Sequence, residues 1–267
     1  MNTNSQAAEP SWQQATNLQG KTVVVTGCAS GIGRATAQQF ALAGALVFGG
    51  DINEEGGRAT ADAIKAAGGS AEFVPLNLAD GASVDRFVDT VKSRAQNGVD
   101  IIASVAGWER VGPFMENTPD FWDKVIAINY VGPVRMIQRF LPDMIQRAKG
   151  GKIVTVASDA GRVGSMGETF YSGSKGAIIA FTKGLAREMA RYNINCNCIA
   201  PGPTDTPLFH EGISNPKLRE SLIKAIPMRR LGKTTEVAYS ILYFSSPATD
   251  FITGQVLSVS GGLTMHG

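Results

Sequence analysis

The chain has 267 residues, 43% hydrophobic and 18% charged, with a formal net charge of +2. This is ordinary globular composition for one large domain, and without a cluster of basic residues it argues against a nucleic-acid partner. No apolar run reaches the ~18 residues of a membrane span, and the polar start MNTNSQAAEPSWQQATN lacks a signal-peptide core, so a cytoplasmic protein is expected.

Residues 1–18 are rich in Gln, Asn, Ser and Ala without apolar periodicity and read as a flexible tail; a single domain is expected from 19 to 267. Thr22–Thr26 (TVVVT) is β-branched throughout, the mark of a strand buried on both faces of a parallel sheet. A glycine-rich turn follows (Gly27, Cys28, Ala29, Ser30, Gly31, Ile32, Gly33), then a helix to about residue 43. Strand, glycine turn and helix together form a phosphate cradle. The glycines let the backbone approach closely, and the helix start offers free N–H groups and a positive dipole end. A second strand ends at Asp51, 18 positions after Gly33, where a carboxylate would accept bonds from ribose hydroxyls and repel a 2′-phosphate. No basic residue follows in Ile52, Asn53, Glu54 and Glu55, which favours NAD over NADP. The alternative is that Asp51 caps the helix starting near Glu54.

The alternation continues. Helices are expected over 54–67 and 80–96, and strands over 71–76 and 99–105, the last two ending in Asn77-Leu78 and Ala106-Gly107. Repeated strand–helix units imply a doubly wound parallel sheet of Rossmann type, flanked by helices on both faces and binding ligands at the C-terminal strand ends. A long helix is expected over 118–147, with the polar Asn129 inside an apolar stretch. Asn129 either bonds to backbone or holds a water near a reactive site; both readings stand. A strand over 152–157 delivers Ser158 into the same crevice, and a helix to about residue 191 carries Tyr171 and Lys175. Cys196 and Cys198 lie on the next strand. The chain has only three cysteines and two histidines, so they read as small core residues, with neither a disulfide framework nor a metal site. The turn Pro201-Gly202-Pro203-Thr204-Asp205-Thr206 suits backbone contacts to a ligand, and 207–227 reads as a mobile lid. A helix over 235–244 and a strand over 255–259 close the domain.

The chemistry centres on Ser158 to Lys175 (SDAGRVGSMGETFYSGSK). Tyr171 and Lys175, four apart on a helix, share one face. An ammonium beside a phenol favours the phenolate, so the tyrosine becomes an acid or base usable near neutrality, with Ser158 able to hold a substrate oxygen beside it.

These residues resemble the short-chain dehydrogenase/reductase family in its single-domain form, from about Leu18 to Gly262. The motifs are T-G-x-x-x-G-x-G at Thr26–Gly33, Asn129, Ser158, Y-x-x-x-K at Tyr171 and Lys175, and P-G at Pro201-Gly202. The resemblance implies hydride transfer between a secondary alcohol or ketone and a nicotinamide. Tyr171 would be the general acid/base and Ser158 the holder of the reacting oxygen. Lys175 would bind the nicotinamide ribose and lower the tyrosine pKa, and Asn129 would keep a water that relays protons from Lys175. The cofactor would be lined by Gly27, Ser30, Gly31, Ile32, Gly33, Asp51, Ile52, Asn77, Leu78, Ala106, Gly107, Tyr171, Lys175, Pro201, Gly202, Thr204 and Thr206. Two positions depart from the family. The usual N-N-A-G is Ser104-Val105-Ala106-Gly107, where Ser104 stands in for one cross-strand bond, and the usual acid at the adenine pocket is Asn77.

Three stretches, 157–168, 200–208 and 252–267, look like 2-hydroxycyclohexanecarboxyl-CoA dehydrogenases and related alicyclic or hydroxyacyl-CoA enzymes. Trp108, Met166 and Phe209 would form an apolar, ring-accepting pocket. Arg162 is placed to meet a carboxylate or phosphate, while Asp159 and Glu168 make a free anion less attractive. Simple aryl or alicyclic alcohols therefore rival CoA thioesters as substrate. An epimerase or dehydratase would carry a longer C-terminal region, an enoyl reductase a wider Tyr–Lys spacing. A non-catalytic NAD sensor would have no need of an activated phenol. The resemblance further implies a homotetramer.

Overall fold

The structure is a computed structural model, which describes residues 11–213 and 215–265. The strands are β1 (Thr22–Thr26), β2 (Leu46–Asp51), β3 (Ser70–Pro75), β4 (Ile101–Ser104), β5 (Gly151–Val156), β6 (Ile194–Pro201) and β7 (Val256–Val259). The helices are α1 (Trp12–Ala15), α2 (Gly31–Leu42), α3 (Glu54–Ala66), α4 (Gly81–Arg94), α5 (Pro119–Ile126), α6 (Gly132–Arg147), α7 (Ala160–Val163), α8 (Thr169–Met189), α9 (Pro207–Gly212), α10 (Pro216–Ala225) and α11 (Thr234–Ser245).

The seven strands form one sheet in the order β3-β2-β1-β4-β5-β6-β7, and every pairing is parallel. The chain winds outward from β1 to β3, then returns to place β4 on the other side of β1. That reversal is the switch point where open α/β sheets hold their ligands. All five β1 residues are buried. Alternation sends Val23 and Val25 into one core with Phe40, Ile64 and Ile241 from α2, α3 and α11. It sends Val24 into the other, with Phe87, Ile137, Phe140 and Met189 from α4, α6 and α8. The expected doubly wound, single-domain architecture is the one observed.

Three regions show detail that the sequence-based expectation does not contain. Residues 1–10 of the expected tail lie outside the described residues. Within 11–18, α1 is closed by a reciprocal cap between Ser11 and Gln14, and Leu18 is only 1% exposed in the first core. The long helix over 118–147 is broken by a π turn at Ala127–Val131 between α5 and α6. The segment after Thr206 is two helices, α9 and α10, each entered through a proline in its first turn and capped by Thr206 or Asn215. No described helix is long and apolar enough to cross a membrane.

Candidate active site

The cradle follows from β1 and its turn. Gly27 and Gly31 have φ of 76° and 52°, backbone that favours glycine. A Cβ at Gly33 would fall 2.0 Å from the Gly27 carbonyl oxygen, so only glycine lets α2 start this close to the turn. Gly27 packs against the Ala106 backbone, where a Cβ would sit at 3.0 Å, and a Cβ on Gly31 would lie 3.4 Å from the Thr206 side chain. The glycine loop, the end of β4 and the turn after β6 therefore converge. No side chain caps the start of α2, which leaves the N–H groups that bind a phosphate turned toward this cleft. A hollow of about 310 Å³ here is lined by Ser30, Gly31, Arg34, Asp205, Pro207 and Thr234. These features fit a dinucleotide pyrophosphate.

The residues around the cradle are held by local bonds. The Thr26 hydroxyl accepts from the Val105 and Ala106 amides at 2.9 and 3.0 Å, so the cross-strand tie at the departed asparagines comes from β1. Asp51 Oδ2 accepts from the Ala29 amide and Oδ1 from the Asn53 amide, both at 2.9 Å. The cap of α3 is Asn53, which accepts from Gly56, and the alternative role for Asp51 falls away. Ile52 is 71% exposed beside it. Asn77 turns its oxygen into its own loop, accepting from the Ala79 amide at 3.0 Å, and Leu78 is buried. Thr204 donates to the Gly202 carbonyl at 3.0 Å, while the Pro201 carbonyl accepts from the Asp159 amide at 3.0 Å.

The reactive side chains meet at the C-terminal end of β5. α8 carries Tyr171 and Lys175 one turn apart, and the Ser158 hydroxyl hydrogen-bonds the phenol. Lys175 is buried; its ammonium donates to the Val156 carbonyl at 3.1 Å and lies 5.6 Å from the Tyr171 ring centre. A Cβ on Gly107 would lie 3.0 Å from both Lys175 Nζ and Asn129 Oδ1, so these three residues meet.

Asn129 is only 1% exposed. Its Oδ1 accepts from the Trp108 amide at 3.0 Å and its Nδ2 donates to the Trp108 carbonyl at 2.7 Å. The π turn, one residue wider than an α turn, aims this amide at the loop after β4. Of the two readings left open for Asn129, the backbone bond is what the geometry displays.

The electrostatics depart from the expectation at Tyr171. Burial pushes the phenol well above its ordinary value, the Glu109 and Glu168 carboxyls push it further, and only the Ser158 hydrogen bond opposes them. Burial also brings Lys175 down to about 8. Lys175, expected from the spacing to lower the tyrosine, does not stand among these causes; the burial of the phenol leads them. In this setting Tyr171 is a protonated donor, suited to a ketone oxygen.

Glu109 was not among the expected site residues. Burial, then the hydrogen bond and charge of Glu168, raise its carboxyl to about 9, with Lys175 opposing. The only signal in the chain was an acid two residues after Gly107, at a ligand-binding strand end.

The expected substrate pocket is less well formed. The Trp108 ring packs on Phe121 of α5 at 5.8 Å, under the Lys124 ammonium at 3.9 Å. Met166 is 96% exposed, which takes it out of any cleft wall in the single chain. Phe209 is half-buried on α9, edge-on to His210. Asp159 turns away from the phenol and accepts from the Ser258 hydroxyl at 2.7 Å. Arg162 lies near enough to Cys198 to act on its thiol. The three cysteines are free and buried, and no metal-binding group of His, Cys, Asp and Glu occurs among the described residues. A larger cleft of about 710 Å³, lined by residues including Lys21, Asp100, Asn195 and Phe251, lies at the opposite ends of the strands, away from this chemistry.

Comparison with known proteins agrees with the geometry. A family profile described as enoyl-(acyl carrier protein) reductase matches residues 27–264. The 3-oxoacyl-[acyl-carrier-protein] reductase of Thermotoga maritima is 36% identical over 93% of this chain and 99% of its own. The sorbitol dehydrogenase of Cereibacter sphaeroides is 34% identical over 92% of this chain and 98% of its own. Among solved structures, a putative NAD(P)-dependent gluconate 5-dehydrogenase from Beutenbergia cavernae, with NADP bound at low occupancy, superposes with a TM-score of 0.89. It is 30% identical, covering 93% of this chain and 98% of that one. With the cradle, the serine and the tyrosine–lysine pair in place, the chain belongs to the short-chain dehydrogenase/reductase family.

Proposed function

We propose that the protein interconverts a secondary alcohol and a ketone with NAD, the substrate being a cyclic or aromatic carbinol or a hydroxyacyl-CoA thioester. The observation that carries this reading is the Ser158–Tyr171 hydrogen bond beside the buried Lys175. A bound nicotinamide would accept or deliver the hydride. Ser158 would hold the substrate oxygen, and Tyr171 would donate its proton to a ketone or take one from an alcohol. Lys175, anchored on Val156, would orient the ribose and contribute positive charge in favour of the phenolate. The names of the relatives support a CH–OH/keto reaction, since one reduces a 3-oxoacyl thioester and another oxidises a sugar alcohol. The three intervening residues between Tyr171 and Lys175 support ketone rather than enoyl reduction.

NAD is preferred on the strength of Asp51, whose carboxylate sits at the end of β2 with both oxygens bonded to the loops that frame the ribose position. A 2′-phosphate there would meet a fixed negative charge. The test is cofactor reduction with cyclohexanol derivatives, 1-arylethanols and 2- or 3-hydroxyacyl-CoA esters, each with NAD and NADP. NAD is expected to be favoured in kcat/KM by about tenfold or more, and Asp51→Ser to narrow the ratio by a similar factor. Equal use of both cofactors by the native chain would reject the assignment. A non-catalytic NAD sensor would bind cofactor and turn over nothing on this panel.

We further propose a cytoplasmic homotetramer. The last strand of the sheet, β7, has one free edge, and Leu257 on it is 38% exposed; such an edge is commonly covered by a second copy. A monomeric mass by light scattering would reject this assembly.

A further inference from the structure

Glu109, in the loop after β4, and Glu168, the residue before α8, meet side chain to side chain. The charges of both act on the Tyr171 phenol. Glu109 Oε2 is buried and finds no donor among the described residues. Its hydrogen-bonding neighbour is the Glu168 carboxyl. Two carboxylates only accept, so this contact exists only with a proton between them. Burial and Glu168 keep that proton on Glu109 up to about pH 9. Glu168 stands at the N-cap of α8, the positive end of that helix dipole.

One cation opposes the raised Glu109 carboxyl. Lys175 is the one that acts on Glu109, more weakly than Glu168 does, and its ammonium is bonded to the Val156 carbonyl. Lys124 from α5 lies over the Trp108 ring at 3.9 Å and Arg110 over the Phe121 ring at 5.1 Å. The pair therefore presents one proton and one negative charge to whatever lies against Tyr171.

We propose that Glu109 and Glu168 act together as a one-proton carboxyl pair that selects the substrate, admitting a carbinol whose neighbouring group is uncharged and rejecting one whose neighbouring group is a free carboxylate. The proposal rests on the dehydrogenase reading above and deepens it. A carbinol oxygen held by Ser158 and Tyr171 places the substituents of that carbon against the pair. A carboxylate there would meet the charge of the pair with little water between them. A thioester, ester or ring would meet none of that repulsion, and a neighbouring hydroxyl could donate to Glu168.

The test uses matched substrates with NAD: 3-hydroxybutyrate and 2-hydroxycyclohexanecarboxylate, each as free acid and as its methyl ester and N-acetylcysteamine thioester. The native enzyme is expected to favour the neutral forms by about a hundredfold in kcat/KM, as for two like charges ~6 Å apart at an effective dielectric of ~20. E168Q removes the charge and should shrink that preference by about tenfold or more. E109Q keeps a donor beside the Glu168 carboxylate and should retain the preference, but change the pH profile. In the native enzyme, loss of the Glu109 proton above about pH 9 creates a dianion, which disfavours the phenolate, so alcohol oxidation falls. In E109Q that fall is absent, while Lys175 titrates in both proteins, so the difference between the profiles belongs to the pair.

Equal turnover of acid and ester by the native enzyme would overturn the proposal, as would an E168Q ratio unchanged while ester turnover persists. An E109Q profile identical to the native one would overturn the shared proton. If E168Q fails to fold, the native ratio and the E109Q profile decide the question alone. Silence of the native enzyme on every alcohol, esters included, would instead refute the dehydrogenase reading and the role of the pair with it.

Discussion

Tyr171→Phe is expected to lower kcat by about a thousandfold or more while NAD affinity stays within about twofold. The substitution removes one oxygen from a half-buried position and leaves the ring, so packing on α8 changes little. What is lost is the phenol bonded to Ser158, the group that can give or take a proton at the substrate oxygen. Lys175 does not stand in its place: its ammonium lies 5.6 Å from the Tyr171 ring centre and is bonded to the Val156 carbonyl at 3.1 Å. Stopped-flow measurement of hydride transfer with a substrate found by the panel, and NAD titration by fluorescence quenching, separate the two effects. A variant that retains a tenth of native turnover would remove Tyr171 from the chemistry.

Gly33→Ala is expected to damage the cofactor site and the fold together. The new Cβ would lie 2.0 Å from the Gly27 carbonyl oxygen and 3.0 Å from that of Thr26. Both neighbours are backbone, so relief requires α2 to move away from β1. Such overpacking costs about 1–3 kcal/mol or more. It also opens the turn that frames the cradle, and NAD affinity should fall by about tenfold or more. Thermal melts with and without NAD report both losses. Unchanged melting and unchanged NAD binding would show that the close approach of α2 to the turn is not required.

Much of this site was legible in the chain. Ser158, Tyr171 and Lys175 announce themselves because strand end, serine and Y-x-x-x-K follow in order, and helical periodicity then fixes the shared face. Gly27 and Asp51 were readable because each closes a β-branched or apolar run, and Gly33 because it completes the glycine turn at a helix start. What was not legible depended on distance in space. Glu109 and Glu168 are far apart in sequence and look like two surface acids; only the fold puts one beside the other and removes their water. The same desolvation reversed the expected direction at Tyr171, since spacing reveals the neighbouring lysine but not the depth of burial. Met166 and Trp108 were assigned to a pocket by character. Backbone direction alone decides that one faces solvent and the other lies on α5. The π turn left no mark, because an apolar stretch around a single asparagine reads equally well as regular helix.

That turn links the reactive centre to the core in a further way. A π turn is in effect an α-helix carrying one residue too many, and each residue of a helix advances its faces by about 100°. The 16 residues of α6 follow Asn129 without a break, and their inner face is Met136, Ile137, Phe140 and Met144. Deleting a single residue between Ala127 and Val131 would restore a regular helix and at the same time rotate that face off the sheet by about a quarter turn. Asn129 cannot be re-aimed by a change of helix length without unseating the α6 residues Met136, Ile137, Phe140 and Met144 from the second core. The angular setting of a polar group at the candidate active site is thereby indexed to the hydrophobic packing of the helix that follows it.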